Sequence, residues 1–498
     1  MFNQTKIATI TIIYILFLTQ NVLCKAETIS FDDVLQQSIT NSFDLKISDI
    51  DLRISKAGLK EARSEYYPNL RIGYNNEYSN TLNKKLQNAT SIGGTFINDN
   101  TRFQNLIYAG ATYNLFDFGA RGKKALIAKK DILQNEYYYS QILRDLKLDV
   151  LSLYTDALIA HKETESQKQI LKIYKLLFSA KERLYEAGIS DKLNIMEEAV
   201  NIAKTVDKID KSKHKLNNVL NQLSEYTFQQ YDLDTIKIKD LLNLEQEIIT
   251  PQNNQTENEE LEADIDTLPA FKDNKIIESK IFETDVKQKI EELQSVNKKD
   301  LEVNKNILPT FDANNFIESK IYEAEVEKKQ EELKLVKRER LPKIEIYSNY
   351  QFYGADKNNP AQSFTNLRST NVSVGISAMM PLFDGFKNSA QQDKVKLEIE
   401  KLQVEKQKKL HEMKKKYDLL YQDAKLYKKD FDNQQNLLAE YQKQFNALER
   451  LSDNKLIQKT DLLIKKSELI TQILNIEISL INTYASIKKL EYLSGDTE

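Results

Sequence analysis

Residues 115–119 read LFDFG, and residues 382–386 read LFDGF, 267 positions later. Each word ends a stretch in which apolar and polar residues alternate. Each opens a long charged run with helical spacing. A chain that makes this switch twice is internally duplicated, with strands leading into long helices in both copies.

Working back from the first word, Ile107, Ala109, Ala111, Tyr113 and Leu115 share one parity. Before a polar loop at roughly 80–102, Leu70, Ile72, Tyr74 and Tyr78 form another such set, opposed by Arg71, Asn75, Glu77 and Ser79. The second copy offers Ile344, Ile346, Tyr350 and Phe352, then another polar loop. After it come Val372, Val374, Ile376, Ala378, Met380 and Leu382. Period two predicts four strands, each with an apolar and a polar face. Pro68 and Pro342 each end a helical run just before the first strand of a copy; the first run spans 31–64, with Ser30 as its N-cap. Strands of about ten residues with that parity suit a transmembrane barrel, and they also suit an ordinary sandwich. Four strands cannot close around a lumen. Lipid tolerates no open sheet edge, so spanning a membrane would require several chains to pool their strands.

Working forward from the second word, Leu410, Met413, Tyr417, Leu420, Ala424, Tyr427, Phe431, Gln434, Leu438, Tyr441, Phe445 and Leu448 step by three and four without a break. This is a coiled-coil seam with one polar member, Gln434. Leu143, Leu146, Val150, Leu153, Ala157, Leu171, Tyr174 and Phe178 each stand 267 positions before a seam residue. Equal length matters here, because one inserted residue rotates a helix face by about 100°. The first long helix breaks at Gly188-Ile189-Ser190 and the second near Ser452–Lys455, and a return helix follows each.

The composition agrees. The 498 residues hold only 12 Gly and 7 Pro, and 71 Lys+Arg balance 74 Asp+Glu to a net charge of −3, so no basic field marks a nucleic-acid partner. Lys6 followed by the apolar run Ile7–Leu18 predicts a secretory signal cut after Ala26, since 12 residues are too few to span a bilayer. Cys24, the sole cysteine, is a less suitable lipidation site because Leu23 precedes it. The copies are joined by an acidic linker. There LPAFKDNKIIESKIFETDVKQKIEELQSV (268–296) recurs at 308–336 with 16 of 29 residues identical, which predicts one extra helix of no assigned function. His161, His214 and His411 stand apart, and HEMKK at 411–415 lacks the second His of a zinc-protease helix. Glu197-Glu198 reads as a solvated helix face. Nothing here predicts an enzyme, a metal or a cofactor.

These residues together resemble the outer-membrane efflux and secretion channel family typified by TolC. The likeness covers nearly the whole chain after residue 26. It rests on the duplication, on Pro68 and Pro342 before the strands, on NLFDFG and PLFDGF, and on the tip segments ERLYEAGISDKLNIM (182–196) and ERLSDNKLIQKTDLL (449–463). The resemblance implies a mainly α fold with a transmembrane β-barrel part. Three copies would supply a twelve-stranded barrel in outer-membrane lipid and a helical tunnel in the periplasm. It also implies export of small molecules or proteins, with a periplasmic adaptor (membrane fusion) protein and an inner-membrane pump or ABC exporter docked at the tips.

Carried over by position, the barrel-to-helix turns are Leu115, Phe116, Asp117 and Gly119, and Leu382, Phe383, Asp384 and Gly385. The docking tips are Gly188, Ile189 and Ser190, and Lys455 and Leu456. The channel entrance takes Asp461, with Ile464 where the family has a second acidic residue, and Asn194 as the first-copy counterpart of Asp461. The resulting division is a signal at 1–26, a first repeat at 27–250, a linker with the extra helix at 251–307, and a second repeat at 308–498. The rivals are a periplasmic coiled-coil adaptor or scaffold, which needs no lipid-type strands, and a stalked adhesin, which needs no folded-back tip.

Overall fold

The computed structural model describes residues 28–79, 102–233, 237–240, 311–454 and 458–494, with short pieces at 90–92, 95–97, 289–290, 293 and 456. The expected signal, Lys455 and most of the linker with its extra helix lie outside the described residues. Two compact units form. One takes residues up to Phe43, Ile142–Asp312 and Met413–Glu498; the other takes Asp44–Gln141 and Ala313–Glu412.

In the second of these units the sheet is four-stranded and antiparallel. Its strands are β2 (Asn69–Tyr78), β5 (Phe103–Phe116), β7 (Lys343–Asp356) and β8 (Arg368–Met379), in the order β2-β5-β7-β8. A strand pair β3 (Thr90–Ile92) and β4 (Thr95–Ile97) lies in the stretch expected to be loop. The second expected loop contains a short helix, α6 (Pro360–Thr365). Its start follows from chemistry the alternation hid: Asn359 accepts a hydrogen bond from the Ala361 N–H at 2.9 Å, and Pro360 occupies the first turn.

Helix α5 (Ile317–Arg338) fills the slot before β7, as α2 (Phe43–Ser64) does before β2. Salt bridges tie α5 to the start of α3 (Ala120–Glu186) through Lys123–Glu331, Lys130–Glu327 and Lys328–Asp131. Lys329–Glu398 ties it to the start of α7 (Lys387–Asp453). A charged face of this kind is legible as polar. Its partners are not, because they come from helices between 69 and 208 residues away.

The other unit holds the far ends of α3 and α7, the return helices α4 (Lys192–Thr227) and α8 (Lys459–Ser494), and α1 (Phe31–Asn41). The predicted helix over 31–64 breaks at Ser42 (ψ 122°). Asn41 Nδ2 donates to the Thr227 carbonyl at 2.7 Å, and the Phe43 ring meets Phe228 edge-on at 5.5 Å. These ties to the end of α4 override a helical spacing that runs on unbroken in the sequence. A parallel strand pair, β1 (Thr28–Ile29) with β6 (Lys237–Ile238), sits over the fully buried Tyr154. The Tyr154 hydroxyl donates to the Lys239 carbonyl at 2.6 Å.

Helix α8 is the centre of this unit. Leu469, Ile473, Ile476 and Leu480 pack with Phe431, Leu438 and Phe445 of α7. Ile470 packs with Ile170, Ile173 and Leu177 of α3. The seam predicted on α7 is therefore half satisfied. Tyr417, Ala424, Phe431, Leu438 and Phe445 are buried, while Leu420, Tyr427, Gln434, Tyr441 and Leu448 are only partly covered. Gln434, the polar seam member, is met by Gln472, whose amide donates to Gln434 Oε1 at 2.8 Å.

On α3 the expected stripe holds at Leu146, Val150 and Ala157, which are buried, and needs correction nearer the tip. Leu171, Tyr174 and Phe178 are partly covered, and the buried set is Ile170, Ile173 and Leu177, one residue earlier. The two long helices share a register but turn different faces to α8. Of the extra helix, Ile290 and Leu293 are described, and both are buried in the α7–α8 cluster.

Candidate functional site

Three surfaces carry the candidate residues: the sheet, the turns where strands become helices, and the helix tips. In the sheet, register converts four separate parities into two continuous faces. Ile72 pairs with Ala109, Ala109 with Tyr350, and Tyr350 with Val372. On the opposite face Arg71 pairs with Gly110, Gly110 with Asn349, and Asn349 with Ser373. The apolar face is open: Ile72 is 84% exposed and Val374 75%. Water disfavours a surface of this kind, and hydrocarbon does not. Both edges, β2 and β8, lack a neighbouring strand among the described residues.

At one rim, α6 packs on the sheet. Asn105, 1% exposed, donates to Ser363 Oγ at 2.7 Å and accepts from the Tyr74 hydroxyl at 2.6 Å and from Asn76 at 2.7 Å. Gly354 permits this approach, because a Cβ there would strike the Ser363 carbonyl at 2.2 Å. Parity alone does not reveal this cluster; the Asn359-Pro360 helix start was the available signal.

The repeated LFD word resolves into a helix cap. Asp117 Oδ1 accepts from the Gly119 N–H at 3.0 Å, and Oδ2 accepts from the Arg121 N–H at 2.9 Å. Asp384 Oδ2 accepts from the Asn388 N–H at 2.9 Å in the second copy. Each Asp satisfies amides at the start of a 67-residue helix that would otherwise lack partners.

The backbone turns through the left-handed region at the same two positions in both copies, Phe118-Gly119 and Gly385-Phe386, with φ between 55° and 80°. The chain must make this turn, and each copy places its glycine at a different one of the two positions. The sequence signalled the word but not Arg121, whose buried guanidinium pairs with Asp117 at 3.0 Å and lies over the Tyr66 ring at 5.0 Å. Burial opposes ionisation of Asp117, but the Arg121 and Gly119 amides and the Arg121 charge outweigh it and hold the carboxyl below its usual range. A bulge at Leu115 ends the predicted alternation, since Asn114 pairs with Glu345 and Phe116 with Ile344. Leu115 and Phe116 are both half exposed, and Leu382 and Phe383 are more so.

At the tips, Gly188 has φ 71° and the Ile189 N–H donates to the Leu184 carbonyl at 2.8 Å. The Leu456 N–H donates to Leu451 at 2.9 Å, the same bond 267 positions on. Both are helix stops of the Schellman type. Ile189 and Leu456 are more than two-thirds exposed. Asn194 is exposed, and its amide donates to Ser190 Oγ at 3.1 Å. Asp461 is exposed in the first turn of α8, and Ile464 lies one turn further on, 38% exposed.

Glu198 departs from its expected solvated role. It is 3% exposed and accepts from Lys181 Nζ at 2.6 Å, joining α3 to α4 below the first tip. Among the described residues, no group of three His, Cys, Asp or Glu stands in a metal-binding arrangement.

Residues 34–227 match the family model described as outer membrane efflux protein. No curated protein matches the chain. Among solved structures it is similar to CusC, whose structures are described in terms of folding and transmembrane channel formation, with TM-score 0.62 and 14% identity over 93% of this chain and 92% of that one. The CmeC outer membrane channel of Campylobacter jejuni gives TM-score 0.62 and 13% identity over 93% and 85% of the two chains. The outer membrane protein VceC of Vibrio cholerae gives 0.62 and 9% over 93% and 96%. At such identities the likeness establishes the fold.

Proposed function

We propose that this chain, whose residues 34–227 match the outer membrane efflux protein family, is a member of that family and one subunit of a trimeric outer-membrane channel that extends into the periplasm. One observation carries the reading: an open four-stranded sheet with an exposed apolar face and, among the described residues, two edges without a neighbouring strand, attached to a pair of 67-residue helices. In lipid each unpaired backbone group costs several kcal/mol, on the order of the transfer penalty for a bare amide, so the edges require partner strands. Three copies supply twelve strands, an even number within the range of known barrels.

The helical unit supports the same reading. The partly covered Leu420, Tyr427, Tyr441 and Leu448 of α7, and the exposed Leu193, Met196 and Val200 of α4, are largely apolar stripes that neighbouring copies would cover. Efflux is the transport class that the family match favours. Protein secretion uses the same architecture with a different inner-membrane partner. The tips at 188–190 and 455–456 are the proposed docking points for a periplasmic adaptor. An inner-membrane pump or ABC exporter supplies the energy, and the channel performs no catalysis. Asp461 contributes a ring of three carboxylates at the entrance, with Ile464 an apolar ring one turn inward.

The test is purification from the membrane fraction in detergent, mass measurement, and reconstitution in a planar bilayer. A trimer with steady conductance is expected. A water-soluble monomer that forms no pore would overturn the reading.

A further inference from the structure

The duplication is held so strictly in the sheet that it specifies how one copy meets the next. Asn69 of β2 pairs with Thr112 of β5, and Lys343 of β7 pairs with Met379 of β8. Lys343 stands 274 positions after Asn69 and Met379 stands 267 after Thr112, so the two hairpins share a register up to the shift that β7–β8 makes between Gln351 and Phe352. The junction between hairpins, β5 against β7, is present once within the chain. Its counterpart, β8 against β2, does not form among the described residues.

A second observation shows what the missing junction does. Tyr113, Asn114 and Phe116 continue β5 because Ile346, Glu345 and Ile344 of β7 pair with them. Their counterparts 267 positions on are Met380, Pro381 and Phe383. These lie beyond the end of β8, with Met380 51% and Phe383 77% exposed. The same local sequence plan forms strand where a neighbour exists and not where it is absent.

We infer that β8 of one subunit pairs with β2 of the next in the register of β5 with β7, and that residues 380–383 become strand on assembly. The inference rests on the trimer proposed above. Transferring the observed pairs Ile107–Phe352, Ala111–Ser348, Tyr113–Ile346 and Phe116–Ile344 sets Val374 opposite Tyr78 of the adjoining copy. It likewise sets Ala378 opposite Tyr74, Met380 opposite Ile72, and Phe383 opposite Leu70. Every one of these pairs joins apolar face to apolar face. A slip of one residue would oppose this face to Arg71, Asn75 and Glu77, and is excluded by the pleat. A slip of two preserves the faces and is the real competitor. Pro381 stands one residue before the counterpart of the Leu115 bulge, the kind of place where a ladder tolerates proline.

Cysteine pairs distinguish the registers in a chain whose single cysteine, Cys24, is replaced by serine. Directly opposite Cβ atoms on paired strands stand about 5 Å apart, against roughly 7–8 Å for diagonal ones, and only the former reach disulfide geometry readily. With Tyr74→Cys and Ala378→Cys combined, mild oxidation should move most of the monomer band to covalent dimer and trimer. Ala378→Cys combined with Ile72→Cys or with Asn76→Cys should leave most of it as monomer. Greater linkage by a slipped pair, or none by any pair in a particle of trimeric mass, refutes the register and leaves the trimer standing. Monomeric mass in detergent without any linkage would refute the trimer itself.

Discussion

The ring of Tyr108 lies across Gly73 on the neighbouring strand so closely that a Cβ on the glycine would fall 2.3 Å from it. The counterpart pair reverses the residues: Tyr347 covers Gly375, where a Cβ would fall 2.5 Å from the hydroxyl. In each hairpin the glycine is on the outer strand, the tyrosine on the inner strand, and the two are directly opposed. Each ring fills space that its glycine leaves on the polar face of the sheet. Gly73→Ala should push the Tyr108 ring aside and lower stability by about 1–3 kcal/mol. The temperature at which the proposed trimer dissociates on a gel would report this. In the double variant with Tyr108→Ala the dissociation temperature should largely recover.

The Asp117 carboxylate is a helix cap and a buried ion-pair partner at once. Asp117→Ala should cost on the order of 3 kcal/mol, because Arg121 is left buried without its counter-charge. Asp384→Ala should cost about 1 kcal/mol, the usual worth of a cap alone. Denaturant unfolding of the two variants measures the difference.

The same carboxylate makes stability depend on pH. Its folded pKa is depressed below 3.8, so its contribution is fully present above the ordinary carboxylate range. That contribution is lost as pH falls through the lower, folded value. Between pH 5 and the onset of acid unfolding, Asp117→Asn should therefore flatten the loss of stability. A pH series of melting curves checks this, and an unchanged slope would rule out Asp117 as a source of it.

Gly188 ends the first long helix with φ 71° and has no atom within 4 Å of a Cβ built on it. Gly188→Ala therefore introduces backbone strain and no clash, costing roughly 1 kcal/mol. The effect should be local: faster amide exchange at Ile189, whose hydrogen bond to Leu184 spans the turn, with unchanged global unfolding.

If three Asp461 carboxylates ring the entrance, Asp461→Asn should reduce the preference for cations over anions, read as a shift of reversal potential under a salt gradient. Ile464→Asp, one turn along the same helix, should increase it. Unchanged selectivity in both variants would remove the ring from the proposed mechanism.

What the sequence determined by itself was local and periodic. The parity of Leu70, Ile72 and Tyr74, the seam from Tyr417 to Phe445, and the equal spacing of the two copies each depend on neighbours a few residues away. That is why the strands, the long helices and the tip turns were all legible. Tertiary structure decided what depends on distant partners. It chose the break at Ser42, where α4 takes hold, and the one-residue rotation of the stripe on α3 at Ile170–Leu177, which meets α8 from a different side. It brought Arg121 to Asp117, Lys181 to Glu198, and Tyr108 over Gly73. It also set β5 beside β7, the junction between the copies. A period says which way a side chain points; only the packed chain says what it points at.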